Sequence, residues 1–258
     1  MNYREKQKKD PAEKKLRKLS VYRKKYPDRL PEGLTEILDW EEAVENEIGQ
    51  LQETGSLLPN PGEELFMTGW IGGAGTLIVA DWKKEQLCTR FPAAFVRTAR
   101  DREVFTNFSM EAQYEYQPPS TFATFAMSPA PYVKAGASWI APVGEGGLMK
   151  ALYRLGKESG LGFRVQAREV PVRQITIEFS EFFLLHPWEM LTGNGFLFTA
   201  DHNADILKKL ESDGIPFKKI GFITKEKQKL ICHGEEQSNI NRPEPDGILT
   251  LLLEDTER

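Results

Sequence analysis

The stretch Ala141-Pro-Val-Gly-Glu-Gly-Gly-Leu-Met-Lys-Ala-Leu152 decides how the rest of the chain is read. Its apolar start, its three glycines and the Leu148, Leu152, Leu155 spacing predict a strand over 136–143, a tight turn and a helix over 146–157. Gly160-Leu-Gly162 ends that helix, and the alternation from Phe163 to Ala167 predicts the next strand. Glycines between a strand and a helix let backbone amides approach a guest, and a helix N-terminus adds partial positive charge. The turn is therefore a candidate anion cradle with phosphate as its natural guest. The same glycines serve a tight turn and close packing just as well. Glu145 works against a phosphate and would suit a metal or a hydroxyl instead.

Downstream, Pro171-Val-Arg-Gln-Ile-Thr-Ile-Glu-Phe-Ser-Glu-Phe-Phe183 predicts a helix over 175–185, with Ile175, Phe179, Phe182 and Phe183 deeply buried. Glu178 and Glu181 are its surface charges. Gly195–Ala200 predicts a short buried strand, then a helix over 204–213 capped by Asp201 or Asn203 and stopped at Gly214. Phe217–Thr224 and Lys229–His233 flank a Lys-rich turn and predict a hairpin. Upstream, Glu64–Ile71 predicts a strand that enters Gly72-Gly-Ala-Gly-Thr76, followed by helices over 77–87 and 92–104. This loop lacks the Lys-Ser/Thr of a P-loop and the spacing of a dinucleotide fingerprint, so it is a plain connection. Thr192-Gly-Asn-Gly195 predicts a turn with positive φ, which lines a pocket if the sheet brings it near Gly146. Residues 105–131, rich in Phe, Tyr, Ser and Pro without a period, predict a long loop with a short helix over 110–116.

With 258 residues, 40% hydrophobic content and fifteen Phe, the chain carries enough apolar surface for a real core. The net charge of -4 argues against a general nucleic-acid binder, yet the charge is unevenly spread. Residues 1–29 are rich in Lys and Arg, whereas 30–64 hold ten acidic residues and no Lys or Arg. Such blocks are solvated helices or arms, and they can attract each other. From Leu34, apolar Ile37, Trp40, Val44, Ile48 and Leu51 recur at helical spacing, with Glu41, Glu42, Glu45 and Glu47 on the other faces. Cys88 and Cys232 lie far apart without a CxxC pair, which fits a reducing cytosol. No run approaches the roughly 20 apolar residues of a membrane span. His186, His202 and His233 match no zinc spacing, and His202 sits in a helix-capping stretch. No Ser/His/Asp or Cys/His arrangement is readable.

Val143-Gly-Glu-Gly-Gly-Leu-Met-Lys-Ala-Leu152, the 171–183 segment, His186-Pro-Trp-Glu-Met-Leu-Thr-Gly-Asn-Gly-Phe-Leu197 and Met67-Thr-Gly-Trp-Ile-Gly-Gly-Ala-Gly-Thr76 share order and spacing with one family. Over about residues 61–250 the chain resembles the C-terminal domain of the aminoimidazole ribonucleotide (AIR) synthase-related family, which includes HypE-like hydrogenase maturation factors. The resemblance implies a dimer of two-domain chains. The N-terminal domain holds acidic metal and ATP ligands, the C-terminal domain closes the cleft, and ATP activates an oxygen of the substrate. This sequence departs from that plan in three places. Residues 1–60 hold no metal-binding domain, Pro142 and Gly144 stand where the family turn has Asp and Thr, and the chain ends Glu254-Asp-Thr-Glu-Arg258 without the terminal cysteine of HypE. Proline offers neither carboxylate nor N–H, and glycine has no hydroxyl.

The expectation is an α/β (α+β) protein with a layered mixed sheet in two or three layers. A charged helical extension over 1–60 (basic arm 1–29, acidic helix 34–53) precedes an AIR synthase-related domain over 61–258. The acidic helix docks on the sheet or forms a dimer seam. The expected function is that of a degenerate, non-catalytic family member that dimerises or binds a family-related partner in the cytoplasm. Gly144, Glu145, Gly146, Gly147, Thr192, Gly193 and Asn194 form a residual phosphate or nucleotide pocket. The alternative is the cleft-forming subunit of a split enzyme, with ATP and Mg bound only alongside a partner domain. The basic arm is the one hint of nucleic acid, and no catalytic or metal-binding residue is assigned.

Overall fold

The alternating segments become strands β1 (Glu64–Thr68), β2 (Trp139–Pro142), β3 (Gly162–Gln166), β4 (Phe196–Ala200), β5 (Phe217–Thr224), β6 (Lys229–His233) and β7 (Glu236–Asn239). The computed structural model describes residues 17–100, 128–193, 195–213, 215 and 217–256. Among them the strands form one sheet in the order β2-β4-β1-β5-β3-β6-β7. Every neighbouring pair is antiparallel except β3 and β6. The helices are α1 (Leu19–Lys25), α2 (Leu34–Thr54), α3 (Gly73–Trp82), α4 (Lys84–Leu87), α5 (Ala93–Arg97), α6 (Ala130–Lys134), α7 (Gly147–Ser159), α8 (Gln174–Phe182), α9 (Asp205–Ser212) and α10 (Gly247–Thr256).

Period-two patterning sends the strand side chains to two apolar faces, and both are covered. Leu65, Met67, Trp139, Ala141 and Leu197 pack on one face against Leu148, Leu152 and Leu155 of α7. Phe66, Ile140, Phe196 and Phe198 pack on the other against Trp40, Val44 and Ile48 of α2, with Tyr132 and Ile206. At about 1.5–3 kcal/mol for each large side chain removed from water, this stripe holds α2 on the sheet. This end of the molecule has three layers, helix on sheet on helix. A second core is mainly helical and joins α1, α3, α8 and α10 through Leu19, Tyr22, Val79, Phe179, Leu249 and Leu252. The basic and acidic blocks meet at Arg23, which pairs with Asp39 at 2.5 Å and Glu42 at 3.3 Å.

Several local expectations are corrected. β5 and β6 are not a hairpin: β3 lies between them, paired antiparallel to β5 and parallel to β6. The hairpin partner of β6 is β7. Neither Asp201 nor Asn203 caps α9, whose N-cap position is Ala204 without a side-chain bond. Asp201 Oδ1 instead accepts the Asn203 N–H at 3.0 Å, a local Asx turn. Phe182 and Phe183 are only partly buried, because α8 reaches the surface where it ends. The helix over 77–87 starts earlier, at Gly73, and breaks at Lys83. The basic arm before residue 17, most of the 105–131 loop, Asn194 and the Gly214 stop lie outside the described residues. Among the described residues no helix is long and apolar enough to cross a membrane, and Cys88 and Cys232 are free thiols.

Candidate functional site

The three glycine-containing motifs converge. Thr192 N–H approaches the Gly144 carbonyl at 3.4 Å, and Gly193 N–H donates to the Val143 carbonyl at 3.1 Å. Thr192 Oγ1 accepts the Gly72 N–H at 3.0 Å. Residues 190–193 thus lie between two strand-to-helix turns, one opening α3 and one opening α7. Each opening should present free N–H groups.

At α3 those donors are consumed by protein carbonyls. Ala74 N–H donates to Thr192 O at 2.9 Å and Gly75 N–H to Leu191 O at 2.8 Å. At α7 the amides of Glu145 and Gly146, in the turn that opens the helix, go to carboxylates. Glu145 N–H donates to Glu41 Oε2 at 2.7 Å, and Gly146 N–H donates to Asp246 Oδ2 at 2.6 Å. Gly147 N–H closes back on the Gly144 carbonyl at 3.0 Å. A hydrogen bond to an ionised carboxylate contributes about 1.5–3 kcal/mol, and less where burial favours the neutral carboxyl.

The two carboxylates arrive from opposite ends of the chain. Glu41 sits on α2 four residues after Ile37 and three before Val44, so it rides the edge of the buried stripe rather than the solvent face. Its side chain is 13% exposed. Asp246 precedes α10 and caps it, with Oδ1 accepting the Ile248 N–H at 2.8 Å. One buried carboxylate therefore closes two helix N-termini. Glu145 points the other way, and its Oε1 accepts the Leu19 N–H at the start of α1 at 2.7 Å. Lys150 Nζ stands 3.6 Å from both Glu41 Oε1 and Glu145 Oε2, a cation shared by the two.

Burial pushes the Asp246 carboxyl up to about 7 against the Gly146 and Ile248 amides, with Glu145 and Glu41 adding to the rise. Burial also raises Glu41, opposed by Lys150 and the Glu145 amide. The glycines serve close packing. A Cβ on Gly147, at φ +59°, would stand 2.6 Å from the Met190 carbonyl oxygen and closer still to that of Trp188. Among the described residues no group of three or more His, Cys, Asp or Glu could hold a metal ion.

Of the residues read as a pocket, Gly144, Glu145, Gly146, Gly147, Thr192 and Gly193 are brought together, while Asn194 is not among the described residues. Glu41 and Asp246 were missed. The readable signal for Asp246 was an Asp just before the apolar run Gly247-Ile-Leu-Thr-Leu-Leu-Leu253, an N-cap pattern. For Glu41 it was the position between Ile37 and Val44 on one helical face.

A mixed sheet flanked by helices, with a glycine turn opening its central helix, defines an α/β domain class that comparison with known proteins places. Residues 126–233 match the model described as AIR synthase related protein, C-terminal domain. Solved structures share the fold. Hydrogenase maturation protein HypE of E. coli aligns at 16% identity and TM-score 0.51 over 76% of this chain and 55% of that one. HypE in complex with ATP aligns at 12% identity and TM-score 0.52 over the same shares, 76% and 55%. A HypE–HypF complex aligns at 16% identity and TM-score 0.50 over 73% and 55%. The chain thus spans about half the length of these HypE chains. No curated protein matches the sequence.

Proposed function

We propose that this chain is a non-catalytic AIR synthase-related protein that acts through contacts with a second copy or a related partner. One observation carries the reading: Glu41 and Asp246 of the chain itself accept the amides of Glu145 and Gly146. Those are two of the donors that a phosphate guest at this turn would use. A phosphate entering there would displace two carboxylates and face Glu145 as well, with Lys150 a nearby cation. Like charges at such range in a partly dry site oppose each other by several kcal/mol. The turn as folded does not fit the phosphates of ATP, so no chemical step is assigned to it. HypE, a protein of this fold, has been seen in complex with a protein partner, HypF.

Isothermal titration of the full chain with Mg-ATP, with ATP alone and with inorganic phosphate tests the reading. No heat of binding up to about 1 mM is expected, and no rise in thermal midpoint. Stabilisation of the lone chain by Mg-ATP would overturn it. Binding that emerges only once an ATP-binding partner chain is added would favour the split-enzyme alternative.

A further inference from the structure

An open groove of about 570 Å³ lies between residues 186–189 and the β6–β7 hairpin. It is lined by none of residues 144–147, nor by Glu41 or Asp246. Its size falls in the range of small-molecule sites, roughly 300–1,000 Å³. The floor is apolar: Met149, Val172, Ile177, Trp188 and Ile231. His186, His233 and Arg242 stand on the rim. All three are exposed, so a ligand can reach them without the fold opening.

Two acids, Glu189 and Glu244, share the lining with Arg242. Glu244 is engaged by Arg17 at 3.9 Å. Glu189 Oε1 accepts the Glu244 N–H at 3.4 Å. Among the described residues no hydrogen bond or ion pair occupies the side chain of Arg242, His186 or His233. A guanidinium with a fork of donors, beside two imidazoles, selects a carboxylate or phosphate head group. An indole, a thioether and branched side chains beneath it select a flat apolar body.

We propose that this groove binds a small aromatic anion, with its ring on the Trp188–Met149 floor and its carboxylate or phosphate held by Arg242. The site is independent of the Glu41–Asp246 turn, and neither reading needs the other.

Titration of the full chain with 2-naphthoate and 2-naphthyl phosphate tests the site, with 2-naphthalenemethanol and acetate as controls. At least one aromatic anion should bind below about 1 mM and at least about tenfold more tightly than either control. The tighter of the two names the head group. Arg242→Glu should abolish the preference for the anion over the alcohol at an unchanged thermal midpoint, since Arg242 is exposed. Absence of binding by either anion below about 1 mM would overturn the proposal. So would an alcohol that binds equally well, or a preference that survives Arg242→Glu.

Discussion

Replacing Gly147 by alanine measures how closely residues 188–190 press on the central turn. Gly147 and Gly160 flank the same helix, α7, and both hold positive φ, +59° and +67°. An L-residue in that conformation costs about 1–2 kcal/mol, partly offset by a less flexible unfolded chain. Nothing lies within 4 Å of a Cβ built on Gly160, so Gly160→Ala should cost about 1 kcal/mol and no more. At Gly147 the added methyl meets two backbone carbonyl oxygens, Trp188 O and Met190 O, the latter at 2.6 Å. Backbone cannot rotate aside as a side chain can, and forced overpacking adds about 1–3 kcal/mol. Gly147→Ala should therefore cost about 3 kcal/mol in all. Equilibrium urea unfolding of the two variants and the parent, followed by circular dichroism, reads the difference directly. Equal losses for the two variants would refute the reasoning, because the strain common to both would then be the whole effect.

The raised Asp246 carboxyl carries a pH dependence whose sign follows from proton counting. The folded state keeps its proton up to about 7 while the unfolded chain releases it near 4, so this contribution to stability is full below about pH 4 and is lost as pH rises through 7. Asp246→Asn should flatten the stability–pH slope over that window, and parallel curves for variant and parent would contradict it. Leu184 is 74% exposed and sits at φ 56°. Leu184→Gly should stabilise by about 0.5–1 kcal/mol, seen as a higher urea midpoint, because the strain relieved exceeds the entropy added to the unfolded chain.

Elements whose residues bury one face were legible in the sequence. The Leu148, Leu152, Leu155 stripe of α7 and the Trp40, Val44, Ile48 stripe of α2 announce helix and burial together, and each lies in the core. Pairing was less legible. Phe217–Thr224 and Lys229–His233 are close in sequence and look like a hairpin, but β3, some fifty residues earlier, takes the place between them. Nothing local encodes that choice, since strand order is decided by which apolar faces can be covered at once. Charged residues were least legible. Glu41 looks like one of several solvated acids on α2, and its role depends on an amide 104 residues away.

The departures at Pro142 and Gly144 have local physical explanations. Pro142 ends β2, an edge strand, where a missing N–H removes no bond from the interior of the sheet. Gly144 is coupled to Glu41. A Cβ at position 144 would meet the Glu41 carboxyl, with Oε1 at 2.8 Å and Oε2 nearer still. A hydroxyl-bearing residue at 144 and a carboxylate from α2 thus compete for one space, and the absence of the first admits the second. Helix N-termini do not stay open in a folded interior, because buried N–H groups without acceptors cost about as much as a lost hydrogen bond. Two amides of this turn find acceptors within the protein, Glu41 and Asp246. By filling the turn, Glu41 and Asp246 fasten α2 and α10 to the sheet domain, so the same amides that make a strand–turn–helix an anion site act here as its structural clasp.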